Sequence, residues 1–170
     1  MYSDRPKIKV PFETVDYIAE LASIAILIIM WCYVFMEYQS LPDIIPTHFN
    51  AAGIADDYGS KNTLFIIPSV ATGIYILLFI LNLYPHIHNY SVNITQENAH
   101  KNYKFSVRFL RIFNFFMCLM FGYITHNIVI STHFPEQGIS PYFLPILVGF
   151  CVALPVLAIY FQRKINKSKK

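Results

Sequence analysis

Four long runs of apolar residues, separated by polar segments, dominate the pattern of the chain. They cover about residues 18–36, 64–84, 112–130 and 142–161, so that each is 19 to 21 residues long. A helix of about 20 residues crosses a hydrocarbon core of roughly 30 Å, and lipid offers no hydrogen-bond partner to a backbone that is not helical. The pattern therefore predicts an all-α fold, an integral membrane four-helix bundle that forms one domain over residues 1–170.

The connection between the first two runs, residues 37–63, is the most polar part of the chain. It contains the segment "IPTHFNAAGIADDYGSK" and is much longer than a typical connection between packed elements. Gly53 and Gly59 are natural positions for turns with positive φ, and Asn50 and Asp56 can hydrogen-bond to their own backbone. We therefore expect a structured loop with about two turns.

Composition and charge agree with a membrane protein and predict its orientation. The chain is 55% hydrophobic and only 14% charged. Of its 13 Lys and Arg residues, three precede the first run, four lie between the second and third, five lie at the tail, and only Lys61 lies in the other loops. The positive-inside tendency then predicts a cell-membrane protein with both termini in the cytoplasm and the 37–63 loop outside. No basic stripe indicates nucleic-acid binding, and the three cysteines, all in apolar runs, have no disulfide or metal-site spacing.

The third helix is expected to begin before its apolar run. Thr95 is a plausible N-cap, and the helix would then continue for about 35 residues, which is longer than a bilayer requires. Its first turns would project from the membrane, where basic and aromatic side chains are suited to contact with anionic headgroups.

Small residues spaced four apart predict where helices contact one another. Ser69 and Gly73 form one such pair in the second run, and Gly149 and Ala153 form another in the fourth. Because small side chains let two helix backbones approach closely in lipid, we expect the second and fourth helices to be contact helices.

The polar residues of the 37–63 loop allow three interpretations. In the first, His48, Asn50, Asp56 and Lys61 satisfy one another and the backbone in a compact cap over the bundle. In the second, some of them bind a divalent metal; the candidate ligands are His48, Asp56, His126 and His133. In the third, the loop recognises an external ligand. Because no HExxH motif or paired-cysteine spacing is present, no metal or other cofactor is assigned.

The loop resembles the signature of a known membrane family, called domain of unknown function 1648, which also occurs in SdpI-type toxin-immunity proteins. In the stretch "LPDIIPTHFNAAGIADDYGSK" the resemblance rests on Leu41, Pro42, Ile45, Pro46, His48, Asn50, Gly53, Asp56, Gly59, Ser60 and Lys61. A second stretch, "NYSVNITQENAHKNY", is similar to the segment before the third helix in members of this family, and it contains Glu97, Asn98 and Tyr103. With Arg108, these residues form the candidate inner-face segment.

The resemblance implies a bacterial multi-spanning protein that protects the cell against a secreted peptide toxin and that can signal by sequestering a repressor at the membrane. We therefore prefer a non-enzymatic function: recognition of, or immunity to, an extracellular peptide or envelope component, with signalling as an extension. The expected partners are the lipid bilayer and an extracellular peptide or membrane protein. Two alternatives remain, a metal-dependent membrane enzyme that uses His48 and Asp56, and a structural subunit of a membrane complex.

Overall fold

The computed structural model of the protein describes residues 5–167 and has the predicted all-α fold. Four helices are long and apolar enough to cross a membrane. The helices are α1 (Thr14–Glu37), α2 (Ile66–Asn82), α3 (Ala99–His133) and α4 (Phe143–Asn166), and short 3₁₀ helices cover Lys61–Phe65 and Pro85–Ile87. Lys169 and Lys170, two of the basic residues counted at the tail, lie outside the described residues.

The 37–63 loop forms a β-hairpin, which the sequence interpretation did not predict. Strands β1 (Ile44–Phe49) and β2 (Ala55–Ser60) pair in antiparallel fashion, with Ile45 opposite Gly59 and Phe49 opposite Ala55. Two irregularities of register flank His48, where the strand bulges. The end of the bundle that carries β1, β2 and the α3–α4 connection is called the hairpin end, and the opposite end is called the termini end.

Helix α1 packs along α3 through a stripe of buried residues. Their spacing in the sequence alternates between three and four positions, as in a coiled-coil seam. The buried residues of α1 are Asp16, Glu20, Ser23, Leu27, Met30 and Val34. Arg108 and Arg111 of α3 pair with the two carboxylates in the polar first half of this stripe. Cys118, Ile128 and Val129 of α3 belong to the clusters around its apolar second half. The stripe therefore combines ion pairing at the termini end with apolar packing at the hairpin end.

Helix α4 is attached to the rest of the bundle at several levels. Near the hairpin end, the rings of Tyr123 and Phe143 have centroids 5.2 Å apart, and further along α4 the ring of Phe150 lies 5.7 Å from that of Phe116 in α3. Near the termini end, the Gln162 side chain accepts hydrogen bonds from the amide and hydroxyl of Ser91, which lies in the segment before α3. Gln162 is the one α4 residue that is buried in the described structure. Most of the other apolar side chains of α4 are exposed on the surface of the bundle.

The prediction that small residues would mark helix contacts is wrong. A Cβ atom added to Gly73 or Gly149 would meet no heavy atom within 4 Å, and Ser69 and Ala153 are exposed. The hydroxyl of Ser69 donates to the carbonyl of Phe65 in its own helix. Within the described chain, α2 does pack against α3, and the buried residues of α1, α2 and α3 include other small ones, Ser23, Ala71 and Cys118, so the two predicted pairs do not mark the faces that meet.

The long third helix has the predicted length but starts later than predicted. It has 35 residues and begins at Ala99, with Asn98 rather than Thr95 as its N-cap residue. The Asn98 side chain accepts a hydrogen bond of 2.9 Å from the amide of Thr95 and donates one of 2.8 Å to the carbonyl of Asn93. Asn98 thus closes a turn ahead of the helix, which keeps Thr95 outside it.

A cavity between the hairpin and the helix ends

The hairpin is anchored to the bundle by its apolar inner face. Leu41 and Ile45 are buried and pack with Val34, Leu64 and Val129 in one cluster. The two prolines of "LPDIIP" restrict the chain between them, so little conformational entropy remains to be lost when the segment packs on the helices. The burial of Leu41 and Ile45 therefore places the polar residues that follow them at a defined position above the membrane-spanning helices.

Asn50 organises the turn between β1 and β2. Its side-chain oxygen accepts hydrogen bonds from the amides of Ala52 at 2.9 Å and Ile54 at 3.1 Å, while its backbone amide donates to the Ile54 carbonyl. Gly53 has a φ of 80°, a backbone conformation that other residues rarely adopt. The roles predicted for Asn50 and Gly53 in a turn therefore agree with the geometry.

The turn docks directly on the connection between α3 and α4. The amide of Ile139 donates a hydrogen bond of 2.9 Å to the carbonyl of Gly53. A Cβ atom on Gly53 would lie 1.8 Å from the Ile139 carbonyl oxygen, and one on Gly138 would lie 2.0 Å from the Gly53 carbonyl oxygen. Two glycines are thus needed for this close backbone approach, and the contact joins the hairpin to the segment that leads into α4.

The prediction that Gly59, the second glycine of the motif, is a turn residue with positive φ is wrong. Gly59 lies within β2 and does not have a positive φ, so it is not a turn residue. A Cβ atom at this position would lie 3.0 Å from the Cγ2 atom of Thr47 on the opposite strand. Gly59 therefore makes room for Thr47.

Lys61 joins the base of the hairpin to the end of α1. Its amide donates to the carbonyl of Asp43, and its ammonium group lies 3.2 Å from an Asp43 carboxylate oxygen and 3.4 Å from the carbonyl of Leu41. The ammonium group also lies 5.3 Å from the centre of the Tyr38 ring. The next helical segment begins at Lys61 and is capped by Ser60, whose hydroxyl accepts from the amide of Asn62.

His48 and Asp56 form a pair on the exposed side of the hairpin, with 2.5 Å between Nδ1 and Oδ1. The other two candidate metal ligands have different neighbours: His126 lies 3.2 Å from the Tyr33 hydroxyl, and His133 lies 3.5 Å from Glu37. In residues 5–167, no three His, Cys, Asp or Glu side chains are grouped to hold a metal ion. The structure does not bring the four candidate ligands into one site.

A cavity of about 370 Å³ lies between the hairpin and the ends of three helices. The hairpin contributes Thr47, His48, Phe49, Asn50, Ala51 and Gly53, while the helices and the α3–α4 connection contribute Ile67, Ile124, Ile128, Ile139, Ser140, Phe143 and Leu144. Its walls are largely apolar, with a few polar groups at the rim, which is the usual composition of a ligand pocket. It is therefore the candidate binding site at the hairpin end.

The sequence interpretation missed the residues that the α3–α4 connection and the first turn of α4 contribute to this cavity. Ile139, Phe143 and Leu144 are distant in sequence from the motif, and nothing in a run of apolar residues distinguishes these from lipid-facing neighbours. The available signal was Gly138, a glycine in a short polar connection, because such a residue often permits close backbone contact.

The candidate inner-face residues do not form one site. Glu97 is exposed, Asn98 closes the turn before α3, and Tyr103 is fully buried with its ring 5.6 Å from that of Tyr90. Arg108 pairs with two carboxylates, those of Glu13 and Asp16. Hydrogen bonds from Lys104 and Arg108 lower the pKa of the exposed Glu13 carboxyl below its ordinary value.

The fold and the motif define the class of the protein as a multi-pass α-helical membrane protein with a structured loop between its first two spans. Residues 25–72 match the family model described as "Domain of unknown function (DUF1648)", which confirms the family resemblance seen in the motif. The matched segment includes the second half of α1, the complete hairpin and the start of α2.

One relative extends the similarity beyond the motif. The chain is 28% identical over 145 residues to an archaeal protein from Archaeoglobus fulgidus that is described as an "Uncharacterized protein", with 78% of each chain covered. No solved structure matches the chain. The comparisons thus support the resemblance to this family without naming an activity.

Proposed function

We propose that the protein is a non-enzymatic recognition protein of the cell membrane whose hairpin end binds an extracellular peptide. The observation that carries this proposal is the cavity at the hairpin end, because its apolar walls and polar rim suit the insertion of an amphipathic segment. The frame of the cavity is stiff, since the hairpin turn is fastened to the α3–α4 connection by Gly53, Gly138 and Ile139.

The charge distribution supports an outward position for this cavity. Lys and Arg are concentrated in the segments of the termini end, and Lys61 is the exception. This asymmetry favours a cytoplasmic location for both termini and an external location for the hairpin.

The charge of the hairpin end also favours a cationic ligand. This end contains five carboxylates, those of Glu37, Asp43, Asp56, Asp57 and Glu136, against the single ammonium group of Lys61. Asp43 is exposed even though it pairs with Lys61. A surface of one dominant sign attracts ligands of the opposite sign and raises their rate of association. A cationic amphipathic peptide therefore fits both the surface and the cavity.

Protection of the cell is the biological role that such binding would serve, in line with the SdpI-type resemblance. A peptide held at the hairpin end is kept from inserting into the bilayer. Signalling would require that occupancy of the cavity alters the termini end, and α3 is the element that connects the two ends because it lines the cavity and carries Lys104, Arg108 and Arg111.

A complementation experiment tests the proposal with one variant that fills the cavity and one matched control. Leu144 lines the cavity and is 46% exposed, whereas Leu157 lies further along the same helix, is 45% exposed and does not line it. A deletion strain is complemented with the wild type, Leu144→Trp or Leu157→Trp and exposed to a panel of cationic amphipathic peptides.

We expect the deletion strain to be more sensitive to at least one peptide, and we expect the wild type and Leu157→Trp, but not Leu144→Trp, to restore resistance. Equal sensitivity of the deletion strain and the wild type across a broad panel would contradict the proposed role. Restoration by both tryptophan variants would show that the cavity is not the binding site.

A further inference from the structure

A second cavity, of about 470 Å³, lies at the termini end between the N-terminal segment and the end of α2. Six residues define its character: Lys7, Lys9, Phe12, Asn82, Leu83 and Arg111. Lys7 and Lys9 are exposed at its mouth, while Asn82 and Arg111 form its buried part, with exposures of 6% and 4%. The cavity is independent of the one assigned to the peptide.

Asn82 is the feature of this cavity that requires an occupant. Within the described residues, neither its Nδ2 atom nor its Oδ1 atom has a hydrogen-bond partner, although both are buried. A buried polar group without a partner costs about 1–3 kcal/mol, and the Asn82 amide contains both a donor and an acceptor. An occupant that satisfies Asn82 must therefore supply an acceptor and a donor close together.

Arg111 supplies a second unsatisfied donor. Its Nε atom lies 3.3 Å from a Glu20 oxygen and its guanidinium lies over the Phe12 ring at 3.8 Å. Its Nη1 atom lies 3.2 Å from Asp16 Oδ1, but the two atoms do not make a hydrogen bond. This nitrogen is thus held in the wall of the cavity with a proton that another acceptor can take.

The local charge balance leaves the mouth of the cavity positive. The three carboxylates of the nearby network, Glu13, Asp16 and Glu20, pair with three cations of α3, Lys104, Arg108 and Arg111. Lys7 and Lys9 are not part of this network, and no ion pair joins either of them to another described residue. Their charges are therefore available to an anion.

The surroundings of the cavity are those of a lipid headgroup. Asn82 is the last residue of α2, a helix apolar enough to span the membrane, so the cavity lies at the level where hydrocarbon meets water. Leu83 and Tyr84, which also line the cavity, are exposed and adjoin the apolar surface of α2. An occupant can therefore have a polar head in the cavity and an acyl chain along the helix.

We propose that this cavity binds the headgroup of an anionic phospholipid of the phosphoglycerol class. The phosphate oxygens accept from Asn82 Nδ2 and Arg111 Nη1 and attract Lys7 and Lys9, while a glycerol hydroxyl donates to Asn82 Oδ1. Phosphatidylcholine supplies the phosphate but neither a net negative charge nor a hydroxyl donor, and it should bind more weakly.

Native mass spectrometry of the purified protein tests the assignment with two lipids, dioleoyl phosphatidylglycerol and dioleoyl phosphatidylcholine. The variants are Lys7→Gln, Lys9→Gln, the double variant and Asn82→Leu, with Lys164→Gln as a control that removes one exposed lysine of α4 at the same end. We expect preferential binding of phosphatidylglycerol, a loss of affinity of about fivefold for each of Lys7 and Lys9, and no change for Lys164→Gln.

Asn82→Leu separates binding from folding. Leucine removes two unpaired buried polar atoms, so the variant should unfold in lipid-free detergent at the same temperature as the wild type or a higher one. It should nevertheless lose the increase in unfolding temperature that phosphatidylglycerol gives to the wild type. If Asn82→Leu and the double lysine variant retain phosphatidylglycerol as well as Lys164→Gln does, the proposal is overturned.

A soluble phosphate compound is the other source of the same chemistry. In a parallel titration, glycerol phosphate and inorganic phosphate are added to the protein that carries phosphatidylglycerol. We expect neither compound to displace the lipid at millimolar concentration. Displacement that depends on Lys7 and Lys9 would assign the cavity to a soluble phosphate and would overturn the lipid assignment.

Discussion

The amide of Ile139 donates a hydrogen bond to the carbonyl of Gly53, and this 2.9 Å contact joins the hairpin turn to the connection that leads into the last helix. It makes the hairpin part of the bundle instead of a free loop. Gly53 and Ile139 both line the cavity at the hairpin end, so this contact forms part of its wall.

Substitution of Gly53 by alanine should destabilise the protein by more than about 2 kcal/mol, because alanine is strained at positive φ and its Cβ atom would overlap the Ile139 carbonyl. The measurement is the unfolding temperature in detergent. Gly73→Ala is the matched control, since nothing lies within 4 Å of a Cβ at that position and alanine favours helix by about 1 kcal/mol. Equal stability of the two variants would contradict the docking role of Gly53.

Substitution of Arg111 by methionine should cost about 3–5 kcal/mol, because it leaves the buried Asp16 and Glu20 carboxylates short of a cation. Unfolding by a denaturing detergent measures the loss. The additional substitution Glu20→Gln should recover part of it, whereas Lys101→Met, which removes an exposed lysine, should have little effect. A variant Arg111→Met as stable as the wild type would show that the buried network does not hold α1 on α3.

Protonation of His88 should make the protein less stable in mild acid. The pKa of His88 is lowered below its ordinary value of 6.5, mainly because the ring is buried. The unfolded chain therefore binds the proton more readily, so the contribution of neutral His88 is complete above pH 6.5 and is lost as the pH falls below it. The neutral ring is hydrogen-bonded on both nitrogens, donating to the Leu81 carbonyl and accepting from the Ser106 hydroxyl.

The measurement for His88 is the unfolding temperature between about pH 8 and pH 5, a range that brackets the ordinary pKa of histidine. His88→Gln should be less stable at pH 8 and should show a weaker dependence on pH than the wild type. His100→Gln changes an exposed histidine and should leave the dependence unchanged. If both variants keep the slope of the wild type, His88 is not the group responsible.

The proposed orientation predicts which cysteines an impermeant reagent can reach in intact cells. In a background without Cys32, Cys118 and Cys151, Ala51→Cys at the exposed hairpin turn should be labelled directly. Lys101→Cys at the termini end should react only after lysis. The opposite result would reverse the orientation and move the peptide cavity to the cytoplasmic side.

Metal analysis separates the recognition role from the metal-enzyme alternative. We expect no stoichiometric divalent metal in the purified protein and no difference in metal content between the wild type and His48→Ala, because His126 and His133 lie beside Tyr33 and Glu37 and not beside His48. Bound metal that is lost with His48→Ala would instead support the enzyme alternative.

The polar residues inside the spans show how far sequence reasoning reached. An acidic residue such as Glu20 in a membrane helix needs a partner, and the sequence offers Arg108 and Arg111 of α3 as candidates. The choice of Arg111 over Arg108, and the hydroxyl of Tyr75 as a further donor to Glu20, followed from the rotation of three helices about their axes. That rotation depends on all side chains along the contact and has no local sequence signal.

The hairpin also shows which features could not be predicted from the sequence. Asn50 and Gly53 indicated a turn, because their side-chain chemistry acts on neighbouring backbone. Strand pairing was not foreseen, since "ADDYGS" lacks the alternation of apolar and polar residues typical of a half-buried strand. The prediction of a turn at Gly59 was wrong for a related reason. Gly59 is small because it lies close to Thr47 on the opposite strand, and only the register of the two strands identifies that neighbour.

The sequence by itself determined the number and approximate position of the membrane helices, the presence of an ordered polar loop between the first two, and the resemblance of that loop to a known family. These properties follow from local facts: the length of apolar runs, the need of buried backbone for internal hydrogen bonds, and a motif of adjacent residues. The tertiary structure decided that Gln162 of α4 meets Ser91, that Gly53 meets Ile139, and that Asn82 is left unpaired beside Arg111. Those relationships depend on how distant segments pack, and packing is a property of pairs of surfaces that no single segment encodes.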